Sequence, residues 1–84
     1  MWAIHVPRRV ERELANAPAA VQSALRDTLA TLQHDPHPPG CKKLKGRLSC
    51  WRVRVGSHRI LYDILEREHA VVLLKIGPRK DVYR

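Results

Sequence analysis

Arginines with the spacing of a strand face are the residues of this 84-residue sequence that are best suited to chemistry. Arg52 and Arg54 are separated by one residue and alternate with large apolar side chains, so a strand would carry both guanidinium groups on one face. Arg59 follows a predicted turn and is expected beside them across the ladder. Arginine offers planar, bidentate donors to phosphate. This spacing therefore predicts contact with an RNA or DNA backbone.

A second group follows the last predicted strand and consists of the basic residues Arg79 and Lys80 and the aromatic residue Tyr83. If the last three strands form a meander, these side chains converge with the first group on one concave surface. Two plainer interpretations stay open. A row of basic side chains is also typical of a solvated surface, and a terminal tyrosine also serves as an aromatic anchor for the tail.

Other basic residues are candidates for non-specific contact with RNA phosphates, which weakens strongly with salt. Four of them precede the second predicted strand: Lys42, Lys43, Lys45 and Arg47. His58, next to Arg59, is a candidate auxiliary acid–base or RNA-binding group, because histidine is the side chain that most often serves as a general acid or base. Its position beside Gly56 and Ser57 favours a simple turn histidine over that role.

A zinc site is the remaining chemical candidate, and the spacing disfavours it. His34, His37, Cys41 and Cys50 do not follow a strong ligand pattern, and three prolines intervene. We expect neither a metal nor another cofactor. The two cysteines are too few for a disulfide framework, so reduced thiols and a cytoplasmic location are predicted.

The elements that position these residues follow from hydrophobic periodicity. Residues 2–6 alternate as a strand, and Pro7 then opens a short helix. A longer helix follows Pro18, with one apolar face formed by Val21, Leu25, Leu29 and Leu32, and it ends in the proline-rich residues 34–40. Strands are predicted at residues 50–55, 59–64 and 70–76, the last as the central strand because it is almost continuously apolar. The order βααβββ predicts an α+β fold, with a helical hairpin packed on a small antiparallel-rich sheet.

Length and charge further limit the classes of protein to which this sequence can belong. A chain of 84 residues predicts one domain over residues 1–84. The net charge of +8 lies entirely in residues 41–84, since residues 1–40 hold four basic and four acidic side chains. This asymmetry is typical of a surface that faces a polyanion. No apolar run has the length of a membrane helix, and no signal peptide is apparent.

Four ordered motifs give the sequence a resemblance to RelE-type toxins of the RelE/ParE superfamily. They are KKLKG at 42–46, WRVRVG at 51–56, HRILYDI at 58–64, and IG at 76–77 followed by RKDVY at 79–83. The resemblance extends over essentially the whole chain and implies a RelE-like fold.

The resemblance also implies a function. RelE toxins enter the ribosomal A site and cut mRNA without a metal: the ribose 2′-OH attacks the adjacent phosphate and leaves a 2′,3′-cyclic phosphate and a 5′-OH. A cognate antitoxin blocks the toxin, and its acidic, partly disordered segment would suit this basic chain. Operator DNA would be bound only through the antitoxin complex.

Residue by residue, the resemblance assigns the catalytic set to Arg52, Arg54, Arg59, Arg79 and Tyr83. Relatives often carry lysines at the first two positions. The arginines here stay protonated, which favours clamping the phosphate and stabilising transition-state charge over proton transfer. Tyr83 is then the candidate proton handler or base-stacking platform. Pro78 replaces a histidine that is frequent in relatives, so any acid–base role of that histidine is missing here.

Two further functions remain open at this point. One is a toxin similar to ParE, which poisons DNA gyrase without cutting RNA. The other is an inactive relative that only binds its antitoxin. A fold alone does not decide between functions that share a scaffold.

Overall fold

The computed structural model describes residues 1–44 and 50–78. The elements are β1 (Ala3–His5), α1 (Arg8–Ala15), α2 (Ala19–His34), β2 (Lys42–Lys43), β3 (Cys50–Val55), β4 (His58–Leu65) and β5 (Ala70–Pro78). The strands form one sheet of order β1-β5-β4-β3-β2, in which β1 runs parallel to β5 and the other three pairings are antiparallel. The predicted α+β fold, with two helices on a mainly antiparallel sheet, is confirmed. The two-residue strand β2 was not predicted, because two adjacent lysines carry no strand periodicity.

The central strand is β4, so the prediction that residues 70–76 occupy the centre was wrong. A register shift in the β4–β5 ladder explains the misleading pattern. Leu61 pairs with Lys75 and Tyr62 pairs with Leu73, so β5 carries one extra residue, Leu74. Such a bulge breaks the alternation of faces. The adjacent apolar residues Leu73 and Leu74 therefore reflect an interrupted period-two pattern, whereas Ala70 and Val71, which pair regularly with β4, are both buried.

The helices cover one face of the sheet and form the core with it. The predicted apolar face of α2 packs as expected, with Leu25 and Leu32 fully buried and Val21 and Leu29 partly buried against them. From α1, Val10 and Leu14 join the same cluster. The sheet contributes alternate residues, namely Val53, Val55, Ile60, Tyr62, Ile64, Val71, Leu73 and Ile76. No helix of the described residues is long and apolar enough to cross a membrane.

Prolines set the helix boundaries, and one buried tyrosine fixes the segment after α2. Pro7 and Pro18 occupy the positions that precede α1 and α2. The chain leaves α2 at Asp35, and the fully buried Tyr62 hydroxyl donates a hydrogen bond of 2.8 Å to the Pro36 carbonyl. Burial, with smaller contributions from Cys41 and Asp35, raises the pKa of the Tyr62 phenol far above its usual value. The phenol is therefore held in its protonated, donating form.

Two side chains of α1 satisfy the edge of β5 beyond the end of β1. The pairing of β1 with β5 stops at Val72, which leaves later backbone groups of β5 without a strand partner on that side. Arg9 donates to the Leu74 carbonyl at 2.8 Å, and a Glu13 carboxylate oxygen accepts from the Ile76 amide at 2.9 Å. The side chains at positions i and i+4 of one helix thus replace a missing strand.

Candidate nucleic-acid interface

Basic side chains gather on the face of the sheet that the helices leave open. Arg54 pairs directly with Arg59 across the β3–β4 ladder, and Arg52 pairs with Lys42 on β2. Paired residues of adjacent strands lie on the same face. The alternate residues of β3, among them Val53 and Val55, belong to the core under the helices. Lys42, Arg52, Arg54 and Arg59 therefore share the opposite side of the sheet, which we call the basic face.

The members of the basic face differ in exposure. Arg54 and Lys42 are exposed and Arg52 is half-buried, whereas only 2% of the Arg59 surface is accessible. The prediction that Arg59 lies beside Arg52 and Arg54 is thus confirmed by the register. Its burial was not predicted.

A two-residue turn sets the register of this arginine pair. Val55 pairs with His58, so Gly56 and Ser57 form the tight turn that the sequence predicts. Gly56 has a φ of +58°, and Ser57 is not among the residues with positive φ. This combination is typical of a type II′ turn, which places glycine first and matches the twist of a hairpin. The turn holds Arg54 and Arg59 opposite each other, because a slip of one residue would move either of them to the other face.

Two of the candidate RNA-binding residues lie apart from the basic face. His58 falls on the helix side of β4, is 8% exposed, and has its Nδ1 3.1 Å from the Ser57 hydroxyl. Lys43 pairs with Trp51 and so also belongs to the side opposite Lys42. The favoured interpretation of His58 as a turn histidine agrees with this placement.

Five other predicted site residues lie outside the described part of the chain: Lys45, Arg47, Arg79, Lys80 and Tyr83. The strand that leads toward the last three ends beside the basic face. Gly77 pairs with Arg59, and Pro78, which precedes Arg79, pairs with His58.

Asp63, the acidic residue of β4, pairs with Cys50 and is therefore a diagonal neighbour of Arg52. Asp63 shares this face, but it lies four residues from Arg59, about 13 Å along an extended strand. Its Oδ1 atom is buried and accepts no hydrogen bond from a described residue. The end of the sheet near the turn therefore presents cationic groups to solvent, an arrangement that attracts anions.

Leu61 is an apolar residue on the same face as Arg59, as the alternation of residues 59–64 predicts. It lies between Arg52 and Lys75 in the ladder and is half-buried. Among residues 1–44 and 50–78, no group of three or more histidine, cysteine or acidic side chains is arranged to hold a metal ion.

Comparison with known proteins places the chain among toxins of toxin–antitoxin systems. Residues 5–83 match the family model described as the ParE toxin of the type II toxin–antitoxin system parDE. Among curated proteins, a chain of Methanocaldococcus jannaschii that carries the name toxin RelE1 is 27% identical over 84 residues, which span 96% of this chain and 93% of that protein.

Solved structures share the fold at lower identity. The archaeal RelE–RelB complex from Pyrococcus horikoshii matches with a TM-score of 0.83 and 22% identity, covering 95% of this chain and 97% of that chain. The isolated RelE toxin of E. coli matches with a TM-score of 0.81 and 20% identity, covering 99% and 92%. The intact E. coli RelBE toxin–antitoxin complex gives a TM-score of 0.81 at 19% identity, covering 93% and 96%.

Proposed function

This chain belongs to the ParE toxin family of type II toxin–antitoxin systems, in the RelE/ParE superfamily, and we propose that it is a metal-independent endonuclease of mRNA on the ribosome. The observation that carries the proposal is the arginine pair of the basic face. Arg54 lies opposite Arg59 in the ladder, and Arg52 lies two residues away on the same face. Arg54 is exposed and Arg52 is half-buried on this open face, and guanidinium groups offer bidentate donors to a phosphate.

The proposed reaction uses groups of the RNA itself. The ribose 2′-OH loses its proton and attacks the adjacent phosphorus, and the bond from phosphorus to the 5′ oxygen breaks. The 5′ oxygen then takes up a proton, which leaves a 2′,3′-cyclic phosphate and a 5′-OH. Extra negative charge develops on the phosphate oxygens as the new bond forms. Preorganised cations at that point stabilise the transition state more than the ground state.

Each residue of the catalytic set has a proposed task. Arg52 and Arg54 clamp the phosphate oxygens, because both are accessible on the open face. Arg59 adds its field from beneath the surface. We assign Arg79 to the leaving group and Tyr83 to proton transfer or base stacking.

The remaining basic residues are proposed to bind RNA around the cut. Lys42 does so on the basic face itself, next to Arg52. Lys45, Arg47 and Lys80 are proposed to add phosphate contacts that do not read sequence. His58 and Lys43 are not included, because the sheet places both on the side of the helices.

A protein antitoxin is the proposed partner of the free toxin, as expected for a type II toxin–antitoxin system. The solved structures that share the fold include complexes of RelE with RelB. An acidic segment on the basic face would occupy the position proposed for mRNA and block it. Operator DNA would be reached through that complex, and the toxin would act in the cytoplasm where ribosomes translate.

Poisoning of DNA gyrase is a second candidate, because the matching family model is named for ParE. The two functions leave different traces. An endonuclease of this kind creates new 5′-OH ends in mRNA, whereas a gyrase poison creates breaks in DNA and none of those RNA ends.

The test is brief induction of the chain in cells, followed by mapping of 5′-OH ends across all mRNAs. The wild type should give cuts within translated frames, in phase with codons, and a purified reaction without ribosomes should give none. The double variant Arg52→Ala/Arg54→Ala should lower the cleavage rate by at least about 10²-fold, since losing one transition-state donor has that effect. Arg67→Ala, which removes one charge from the exposed turn before β5, serves as the control. Growth arrest with DNA breaks and no new RNA ends would replace this proposal with the gyrase function.

A further inference from the structure

A second concentration of arginines lies on the helix side of the molecule, in an open groove of about 370 Å³ between α1 and α2. Three arginines, one acidic residue and two apolar residues line it: Arg8, Glu11, Arg12, Leu14, Ala15 and Arg26. We propose that this arginine groove is a second binding site for the phosphate groups of an RNA backbone, separate from the basic face. The choice of RNA as the ligand rests on the proposed function, whereas the anion site itself rests on the groove.

The groove has an excess of positive charge, because its lining contains three arginines and one acidic residue. None of the side chains of Arg8, Arg12 and Arg26 forms a hydrogen bond or an ion pair with a described residue, and Glu11 pairs with none of them. Arg9 on the same helix behaves differently, since it donates to the Leu74 carbonyl. The arginines of α1 thus divide into one that supports the sheet edge and two that face the groove.

The three guanidinium groups come from two directions. Arg8 and Arg12 are neighbours at i and i+4 on α1, and Arg26 reaches the groove from α2. Like charges at this spacing oppose helix formation, so a bound anion would relieve repulsion within α1. The small side chain of Ala15 leaves room for an anion between the helices.

The lining of the groove favours a phosphate backbone over an acidic peptide. A docked peptide needs apolar or aromatic anchors in a pocket. Leu14 is only 7% exposed, and the exposed large apolar residues of the described chain, Met1 and Leu74, do not line the groove. A phosphate backbone needs no such anchor, because bidentate contacts from arginine supply both affinity and orientation.

The position of the groove agrees with this choice. The groove lies among the helices, and the core and the sheet lie between it and the basic face, in a molecule with extents of 34 × 27 × 25 Å. A toxin that cuts mRNA within a ribosome has RNA on more than one side. Positive charge on two opposite faces suits that environment better than it suits contact with one short acidic strand.

The test measures binding of a fully 2′-O-methylated RNA hairpin, which cannot be cut because it lacks the attacking hydroxyl, by fluorescence anisotropy at several KCl concentrations. The slope of log K against log salt counts the phosphate contacts. The triple variant Arg8→Gln/Arg12→Gln/Arg26→Gln should lower the magnitude of the slope by about 2 and weaken binding roughly tenfold or more, since each lost contact changes the slope by about 0.7–0.9. Arg67→Gln should change the slope by much less. Circular dichroism must show that each variant keeps its fold.

A second variant tests whether removing a negative charge from the groove strengthens binding of the hairpin. Glu11→Gln removes the acidic residue of the groove and should tighten binding of the hairpin severalfold. Glu68→Gln removes the same charge from the exposed turn before β5 and should tighten it clearly less. Equal effects of these two variants would mean that net charge alone governs binding, and would overturn the groove.

The outcomes also separate this inference from the proposed function. Loss of salt slope in the triple variant supports the groove whether or not the wild type cuts mRNA. Conversely, cleavage that depends on Arg52 and Arg54 with an unchanged slope in the triple variant overturns the groove and leaves the endonuclease standing. Direct binding of labelled oligoglutamate that is lost in the triple variant, with no binding of the hairpin to the wild type, would show that the ligand is an acidic polypeptide and not RNA.

Discussion

Arg59 has the position expected of a binding residue but the low exposure of a core residue. It occupies the expected place opposite Arg54, yet it is nearly inaccessible, as one expects of a structural residue. A variant at such a position changes both the stability and the field of the basic face. Loss of activity at Arg59 alone would therefore not identify a catalytic contact.

We predict that Arg59→Ala lowers the free energy of unfolding by about 2–3 kcal/mol, as truncations of buried side chains commonly do. Arg54→Ala, at the exposed partner position, should stay within about 0.5 kcal/mol of the wild type. Urea unfolding followed by circular dichroism measures both. Equal stability of the two variants would contradict the structural role given to Arg59.

Tyr62 leads to a prediction about alkaline pH. The folded phenol has a raised pKa, so above about pH 10, the usual value for tyrosine, the folded chain retains a proton that the unfolded chain loses. Stability from this group is complete below that pH and falls as the pH rises further. Tyr62→Phe removes this dependence together with the hydrogen bond to Pro36.

At neutral pH Tyr62→Phe should therefore be less stable than the wild type by about 1 kcal/mol, the usual net contribution of one such bond. Between pH 10 and 12 the difference should shrink. Urea unfolding of both chains across this range is the measurement. A constant difference would mean that the phenol titrates alike in both states.

At the scale of elements, α1 acts as a substitute for a strand along the second half of β5. Glu13 is central to this arrangement, because its carboxylate accepts from the Ile76 amide while its other oxygen lies 3.7 Å from the Lys75 ammonium. The amide bond involves a charged acceptor in a partly buried site, whereas the ion pair is exposed enough to contribute little.

We predict that Glu13→Ala destabilises the fold by about 1.5–3 kcal/mol, the value typical of a hydrogen bond to a charged group. It should also speed hydrogen exchange of the Ile76 amide. Glu13→Gln keeps an acceptor oxygen and should restore part of both. Glu11→Ala, on the outer side of the same helix, is the matched control and should leave Ile76 exchange unchanged. Equal exchange in the Glu13→Ala and Glu11→Ala variants would refute this account.

Elements with a regular period could be predicted, and those without one could not. The apolar face of α2 and the alternation of β3 and β4 follow directly from residue spacing, which is why the Arg54–Arg59 pair was predictable. The position of β5 within the sheet was predicted wrongly, in part because the extra residue Leu74 interrupts the alternation of its side chains. The links from α1 to β5 join residues 63 and 65 positions apart. No local pattern predicts contacts of that range.

At the scale of the whole molecule, the distribution of charge along the chain differs from its distribution in space. Residues 1–40 are neutral by count, yet they contribute the arginine groove. Two of their four acidic residues are engaged elsewhere: Glu13 supports β5, and Asp35 accepts from the His37 amide. The sequence therefore predicted one basic surface, whereas the fold presents two on opposite sides.

The net charge of +8 predicts that salt stabilises the free protein. Raising NaCl from 10 to 150 mM shortens the Debye length from about 30 to about 8 Å and screens repulsion among the excess positive charges. The melting temperature should therefore rise. The rise should be smaller in the Arg8→Gln/Arg12→Gln/Arg26→Gln variant than in Arg67→Gln. A melting temperature that falls with salt would mean that attractive ion pairs dominate instead.

The shortness of the outer strands bears on how the protein behaves when it is concentrated. An open strand edge is a template on which other copies can add, and it leads to aggregates or fibrils. Here the described edge strands are β1 with three residues and β2 with two, and β2 is a pair of lysines. The exposed part of β5 is closed by Arg9 and Glu13. Removing these two side chains would do more than weaken the fold, because it would open the second half of β5 as an edge on which other copies of the chain can add.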